Sequence, residues 1–200
     1  MPRITPERRA ARRQQILEAA WECFAREGFQ ATTMDQVAAT AGVSAGMAYT
    51  YFATKDDLII ATSEAALGRF AEAFERLSEE LTEPASPSEI LAVIGAELRR
   101  RAEHPRYDMN RIALQAWAEA VRNPAVHAAL REGQARIAAT MRRVVERWTR
   151  TCPDPPDPES TSELLRLLVP GLILGTVLSG QTPTVELDRA VSGPPPEATL

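Results

Sequence analysis

The sequence predicts an all-α protein of eight or nine helices. Apolar residues recur at helical spacing, glycine and proline are concentrated between the periodic segments, and no segment alternates as a strand would. Of the 200 residues, 44% are hydrophobic and 25% are charged, which is typical of a chain that folds around one or two small cores. No internal repeat at solenoid spacing is present, so a stacked helical array is not expected.

Four helices are predicted between residue 5 and about residue 81. Each is expected to begin where a hydroxyl side chain can accept a hydrogen bond from the first turn, at Thr5, Thr33, Ser44 and Thr54. Gln36 and Asp57 lie three residues after the second and fourth of these caps, which is the spacing of a capping box. The first helix should end at Gly28, and the second, which Gly42 ends, is only about two turns long.

The remaining predicted helices are separated by proline. They are expected to begin at Ser86, near Met109, at Asn123 and at Ser160. A linker with four prolines, Cys152–Pro158, precedes the last helix, and Pro170 inside that helix should kink or divide it. The pattern predicts one domain over residues 1–55, a second over residues 56–180, and a disordered tail over residues 181–200.

The net charge of −4 conceals an uneven distribution. Residues 1–16 contain five arginines and one glutamate, a local charge of +4, so residues 17–200 carry −8. An arginine-rich arm at a chain terminus is either a solvated end or a segment that follows nucleic-acid phosphates, and charge alone favours neither. The total charge excludes only a uniformly basic nucleic-acid binder.

Few residues are suited to metal or redox chemistry. Cys23 and Cys152 form no CxxC motif and are expected to be reduced, and the only histidines are His104 and His127, so neither a metal nor a cofactor is predicted. The longest apolar stretch, Leu167–Leu178, is shorter than the roughly 18 residues of a spanning helix. We therefore expect a cytoplasmic protein with no membrane partner.

Residues 33–52 have the spacing of a helix-turn-helix motif. Gly42 suits the turn because the first residue past a helix often has a positive φ, and Val43 can fill the space between the two helices. A short second helix held across the first can enter the DNA major groove while the first helix braces it on the backbone. Other helical proteins contain such corners, so the pattern alone indicates DNA binding without establishing it.

The residues around this motif resemble the DNA-binding domain of TetR-family transcriptional regulators. The similarity is dense over about residues 10–60, and it is carried by residues 14–20, Phe24, Gly28, Thr32–Met34, Val37–Ala38, Ala41–Ser44, Tyr49–Phe52 and Lys55–Leu58. The rest of the chain resembles the family in architecture only. That architecture is an all-helical domain for ligand binding and dimerisation that ends in two long helices.

The resemblance implies a set of DNA contacts. It assigns phosphates to Thr33, Ser44, Tyr49 and Lys55, and base edges to Ala45, Gly46, Met47 and Thr50. Arg12 of the basic arm is expected to add a phosphate contact. Because the base-facing set contains no Arg, Asn or Gln, specificity should depend on thymine-methyl contact and DNA shape, with the arm supplying polar contacts in the minor groove.

The second domain carries the expected effector and dimer residues. Wide, soft side chains suited to an apolar pocket are Phe70, Phe74, Met109, Trp117 and Met141, although core packing explains them equally well. A dimer interface is expected from Leu130, Ile137, Leu164, Leu168, Gly171 and Gly175, unless these stripes pack only within one subunit. The resemblance thus implies a repressor that binds a palindromic operator as a homodimer and releases this double-stranded DNA when a small apolar effector binds.

Two other functions compete with this interpretation. Residues 42–46 match the G-x-S-x-G pattern of a serine hydrolase, but that motif needs a preceding buried strand, and residues 33–41 have a helical period. A helical interaction protein without DNA binding is the second alternative. A steep loss of DNA affinity with rising salt would distinguish a regulator from it.

Overall fold

The computed structural model describes residues 5–184 and residue 187, and within them the chain forms eight α-helices and no strand. The all-α prediction is confirmed. The helices are α1 (Pro6–Ala31), α2 (Met34–Thr40), α3 (Ala45–Tyr51), α4 (Lys55–Glu80), α5 (Pro87–Ala102), α6 (Met109–Ala120), α7 (Pro124–Thr149) and α8 (Pro158–Ser179).

Hydroxyl caps begin the first four helices, as predicted. The Thr5 side chain accepts a hydrogen bond from the Arg8 amide, and the side chains of Thr33 and Ser44 accept from the amides of Gln36 and Met47. Reciprocal capping boxes form at Thr33, Thr54 and Ser86, and the Asn123 side chain caps α7.

The predicted start of the last helix is wrong. The last helix begins before Ser160, because the Asp157 carboxylate accepts a hydrogen bond from the Ser160 amide and Pro158 occupies the first turn. Hydrogen bonding from the Ser160 side chain, and then from its amide, holds the pKa of Asp157 below its usual value. Of the two predicted effects of Pro170, division of the helix is wrong, since α8 continues to Ser179; a kink stays a prediction.

The first compact unit comprises residues 1–68 and 102–132. Its core contains the fully buried side chains of Trp21 and Phe24, and the Trp21 indole N–H donates to the carbonyl of Thr62 over 3.1 Å. Helix α6 packs in this unit, with Ile112 and Ala116 in the same core. The predicted boundary at residue 55 concerns functional roles and stays a prediction.

The second compact unit comprises residues 69–101 and, among the described residues, those from 133 onward. Within it, the Arg136 guanidinium pairs with Glu75 over 2.7 Å, and Arg147 donates to the carbonyl of Leu81 at the end of α4 over 2.6 Å. The hydrogen bond from Arg136 lowers the pKa of the Glu75 carboxyl. The predicted disordered tail lies largely outside the described residues, which end at residue 187.

Helix α8 has the length and composition of a helix that could cross a membrane. Its most apolar window has a mean hydropathy of 1.5, and 39% of that window is buried. It alone meets these criteria in the part of the chain that the structure describes. Core helices of soluble proteins meet them too, so this property carries little weight by itself.

Candidate nucleic-acid interface

The helix-turn-helix is built as the spacing predicted. Helices α2 and α3 flank a turn in which Gly42 has φ +65°, a conformation that favours glycine. Val43 is half-buried against the core, and its amide donates to the carbonyl of Ala38 over 3.0 Å. Ala48 is fully buried on the inner face of α3, so the opposite face of α3 is presented outward.

Three of the predicted base-facing residues are exposed on α3. Gly46 and Thr50 are exposed, and Met47 is 39% exposed, while Ala45 is half-buried. The Thr50 hydroxyl donates to the carbonyl of Gly46 over 2.9 Å, so its proton is used inside the helix. Thr50 therefore offers a methyl group and an acceptor oxygen, which suits contact with a thymine methyl better than donation to a base.

The predicted phosphate residues Thr33, Ser44 and Tyr49 are exposed, Tyr49 to 48%. The Ser44 oxygen accepts from the Met47 amide over 3.2 Å, which leaves its proton for an external oxygen. At Thr33 the hydroxyl donates to the Gln36 side chain over 2.9 Å. Ser44 is thus the better placed of the two hydroxyls to donate to a phosphate.

Lys55 is anchored at the first turn of α4. Its ammonium donates to the carbonyl of Gln30 over 2.7 Å, and the residue is half-buried. An ammonium group has three N–H donors, so two remain for a phosphate. The hydrogen bond to the Gln30 carbonyl fixes the position of the Lys55 ammonium charge.

Most arginines of the basic arm lie on α1, whose start at Thr5 the sequence predicted. Helix α1 begins at Pro6, so Arg8, Arg9, Arg12 and Arg13 lie on its first turns, and only Arg3 precedes it, outside the described residues. A helix with side chains is about 10–12 Å wide and cannot enter a minor groove about 6 Å wide. Only side chains of α1 could therefore reach into that groove, and minor-groove contact by the arm stays a prediction.

Arg12 is joined to the helix-turn-helix through Gln15. The Arg12 guanidinium donates to the Gln15 side chain over 2.7 Å, and that side chain donates to the carbonyl of Ala41, at the end of α2, over 2.5 Å. The Arg13 guanidinium lies 5.1 Å from the ring centre of Phe52. Sequence inspection missed Gln15, since the bond joins positions 26 residues apart.

The predicted effector residues are divided between the two units. Phe70, Phe74 and Met141 are buried within the second unit. Met109 is buried and Trp117 half-buried in the first unit.

The predicted dimer residues differ in accessibility. Leu130 and Ile137 are 2% and 9% exposed, so they pack against their own chain. On α8, Leu164 and Gly171 are exposed and Leu168 is half-buried. A Cβ atom at Gly175 would lie 2.8 Å from the Pro183 ring, so the chain's own tail occupies that position.

Helix α8 also exposes three leucines that the sequence analysis did not assign to the interface. They are 61%, 46% and 76% exposed, and they are Leu167, Leu174 and Leu178. Together with Leu164 and Gly171 they recur at alternating steps of three and four residues, which makes one continuous apolar stripe.

Two family models match the chain. Residues 16–62 match the model described as bacterial regulatory proteins, tetR family, which includes the helix-turn-helix. Residues 89–192 match the model described as BetI-type transcriptional repressor, C-terminal, and this model alone covers more than half of the chain.

Curated relatives match over part of the chain. The transcriptional regulator HbdR of Aromatoleum sp. (strain CIB) is 38% identical over 42% of this chain and 34% of its own length. The fatty acid metabolism regulator protein of Bacillus subtilis is 35% identical over 40% of each chain. BetI of Rhizobium meliloti is 39% identical over 34% of this chain and 33% of its own. The match thus spans about a third to two fifths of these relatives.

Solved structures share the fold over most of the chain. A Saccharomonospora viridis protein in complex with choline has a TM-score of 0.68 at 23% identity, covering 88% of this chain and 89% of its own. FadR of Bacillus subtilis in complex with stearoyl-CoA has a TM-score of 0.67 at 21% identity, covering 89% of this chain and 94% of its own. At these identities the likeness shows the fold alone.

Proposed function

Because this chain belongs to the TetR family of DNA-binding transcriptional regulators, we propose that it is a ligand-responsive repressor that binds a palindromic operator as a homodimer. The chain is a regulator and not an enzyme; Ser44, the serine of the G-x-S-x-G match, caps α3 and is preceded by a helix where a hydrolase needs a strand. The observation that carries the proposal is the exposed face of α3, flanked by the anchored Lys55 and the exposed hydroxyl of Ser44.

The DNA contacts follow from that face. Thr33, Ser44, Tyr49 and Lys55, with Arg12, bind phosphates and set the register of α3 in the major groove. Ala45, Gly46, Met47 and Thr50 then approach the base edges. These residues offer methyl groups and, at Gly46, an exposed backbone. The operator should therefore be enriched in thymine at the contacted positions, where the base methyl group can be contacted.

A homodimer supplies the second half-site. The stripe of Leu164, Leu167, Gly171, Leu174 and Leu178 on α8 is apolar and open to solvent in the single chain, and covering it with the same stripe of a second copy removes it from water. A two-fold interface of this kind presents two copies of α3 to one palindrome.

The effector is proposed to be apolar and to bind in the second unit, near Phe70, Phe74 and Met141. Solved relatives are complexed with ligands of two kinds, choline and stearoyl-CoA. The wide apolar side chains favour an acyl chain over a small cation. We place the protein, and its DNA, in the cytoplasm.

A gel-shift assay tests the proposal. Genomic fragments are incubated with the protein at low and high salt, and then with stearoyl-CoA or with choline as probes. We expect a subset of fragments to shift, with affinity falling steeply as salt rises, and stearoyl-CoA to release them. No shift at either salt concentration contradicts DNA binding, and release by choline alone contradicts an apolar effector.

A further inference from the structure

Helix α1 is broken near its end, and one side chain from α6 spans the break. Gly28 has φ +87° and ψ 163°, which interrupts the helix between Phe24 and Phe29. The Gln115 amide group donates to the carbonyl of Phe24 over 2.9 Å and accepts from the amide of Phe29 over 2.8 Å. Gln115 thus bonds to the backbone on both sides of the break, which compensates for helical bonds that the break disrupts.

A second side chain of α6 holds the same segment, residues 28–32, which we call the connector. Glu119 lies one turn after Gln115, is 7% exposed, and accepts from the Gln30 side chain over 3.3 Å. Arg122 also donates to Glu119, which keeps the carboxylate in place.

The connector leads directly to two of the proposed phosphate contacts. The carbonyl of Gln30 accepts from the Lys55 ammonium over 2.7 Å, so a displacement of the connector displaces that charge. Thr33, the cap of α2, is the next residue after the connector. Helix α6 is therefore linked to the segment that holds Thr33 and Lys55 by the hydrogen bonds of two of its side chains, Gln115 and Glu119.

We propose that Gln115 is a positioning residue for operator binding: by bonding to both sides of the break in α1, it fixes the connector in the arrangement that presents Thr33 and Lys55 to DNA. The proposal rests on the DNA contacts proposed above. The proposal also links α6 to these two contacts. A shift of Gln115 would loosen the connector and so displace Thr33 and Lys55, without any direct contact between Gln115 and α3.

A purely structural role for Gln115 makes a different prediction. Loss of its hydrogen bonds would then lower the melting temperature and leave the affinity of the folded protein for its operator unchanged. A positioning role lowers operator affinity at temperatures where the variant is folded. It also reduces the salt slope, by at most about one, because Lys55 is less well placed on its phosphate.

The experiment compares Gln115→Met, which keeps the volume but loses both bonds, with Gln115→Glu, which keeps an acceptor for the Phe29 amide. Gln134→Met, at an exposed position of α7, is the matched control. Circular dichroism establishes the temperature range in which each variant is folded. Fluorescence anisotropy then gives the affinity for a selected palindrome and for a random duplex at several salt concentrations, and hydrogen exchange reports on the Phe29 amide.

We expect Gln115→Met to bind the palindrome about tenfold more weakly, as for the loss of one or two placed contacts, with a salt slope reduced by at most about one and faster exchange at Phe29. Gln115→Glu should recover part of the affinity, and Gln134→Met should match the wild type. If folded Gln115→Met binds the palindrome within twofold of the wild type, the proposal is overturned while the regulator function stands. If the wild type selects no DNA, both are overturned.

Discussion

At the residue scale, the polar side chains proposed to meet DNA are already bonded within the protein. Thr33 and Ser44 accept from helix amides, the Thr50 hydroxyl donates to its own helix, and Lys55 donates to the Gln30 carbonyl. Each bond restricts a side chain before DNA arrives. Less rotational freedom is then lost on binding, which favours affinity as well as a fixed register of the proposed contacts.

Lys55 provides a test of this arrangement. Replacing Lys55 with Met should weaken binding to operator and random DNA alike and reduce the salt slope by about one, because one cation is removed from the phosphate contacts. The slope is measured from anisotropy titrations at four salt concentrations. Arg131→Met, at an exposed site of the same compact unit, serves as control and should keep the wild-type slope.

Glu119 makes stability depend on pH. The hydrogen bond from Arg122 lowers the pKa of Glu119 in the folded chain, so the ionised carboxylate stabilises the fold above the unfolded-state pKa of about 4.3, and this contribution is lost as pH falls through the lowered value. The free energy of unfolding of the wild type should therefore exceed that of Glu119→Gln at pH 7, and the difference should shrink below about pH 4.

Urea titrations of both proteins across this pH range measure the difference. Glu132→Gln, at an exposed position, is the control and should match the wild type at pH 7. A difference between wild type and Glu119→Gln that grows on acidification would contradict the assignment.

At the element scale, the connector at the end of α1 depends on one glycine. Gly28 adopts φ +87° and ψ 163°, a region that is essentially restricted to glycine. Gly68, in the interior of α4, has open space where a Cβ atom would lie. The two positions therefore respond to alanine in opposite directions.

We expect Gly28→Ala to lower the free energy of unfolding by about 1–3 kcal/mol through backbone strain. Gly68→Ala should raise it by about 0.5–1 kcal/mol, because alanine restricts the unfolded chain and favours helix. Chemical denaturation of both variants measures the two values. Equal effects of the same sign would mean that the connector conformation is not the one described.

The apolar stripe of α8 is the second element-scale feature. Leu174→Glu places a charge in the centre of the proposed dimer interface and should convert the protein to monomers by analytical ultracentrifugation, with a loss of operator affinity. Val121→Glu changes a residue of the first unit that is 89% exposed and is not part of the stripe. It should leave the oligomeric state unchanged; a shift to monomers in both variants, or in neither, would contradict the assignment of the interface to α8.

Local signals explain which features the sequence could predict. The hydroxyl caps and the positive φ of Gly42 depend on neighbours within a few residues, so the sequence predicts them. The two hydrogen bonds of Gln115 join it to Phe29 and Phe24, which lie 86 and 91 residues away along the chain. No local sequence pattern predicts such bonds. The position of Pro183 beside Gly175 likewise depends on the folded chain. The spacing of Gly171 and Gly175 alone predicts a partner helix at this place.

At the scale of the whole molecule, the charge and the proposed function are compatible. The chain carries a net charge of −4, and residues 1–60 hold seven basic and seven acidic residues. Binding cannot come from a uniform positive field, so it must come from a few placed cations and hydroxyls on α1, α2, α3 and α4. In the proposed homodimer, the apolar stripe of α8 joins two copies and so doubles that small set.

Selection of bound sequences from a random DNA library tests the central claim most directly. A homodimer with one α3 per subunit should select a palindrome whose half-sites are separated by about one helical turn or a multiple of it, roughly 34–36 Å centre to centre, with thymine enriched at the contacted positions. Enrichment of a single unrepeated half-site, or of no sequence at all, would contradict the account.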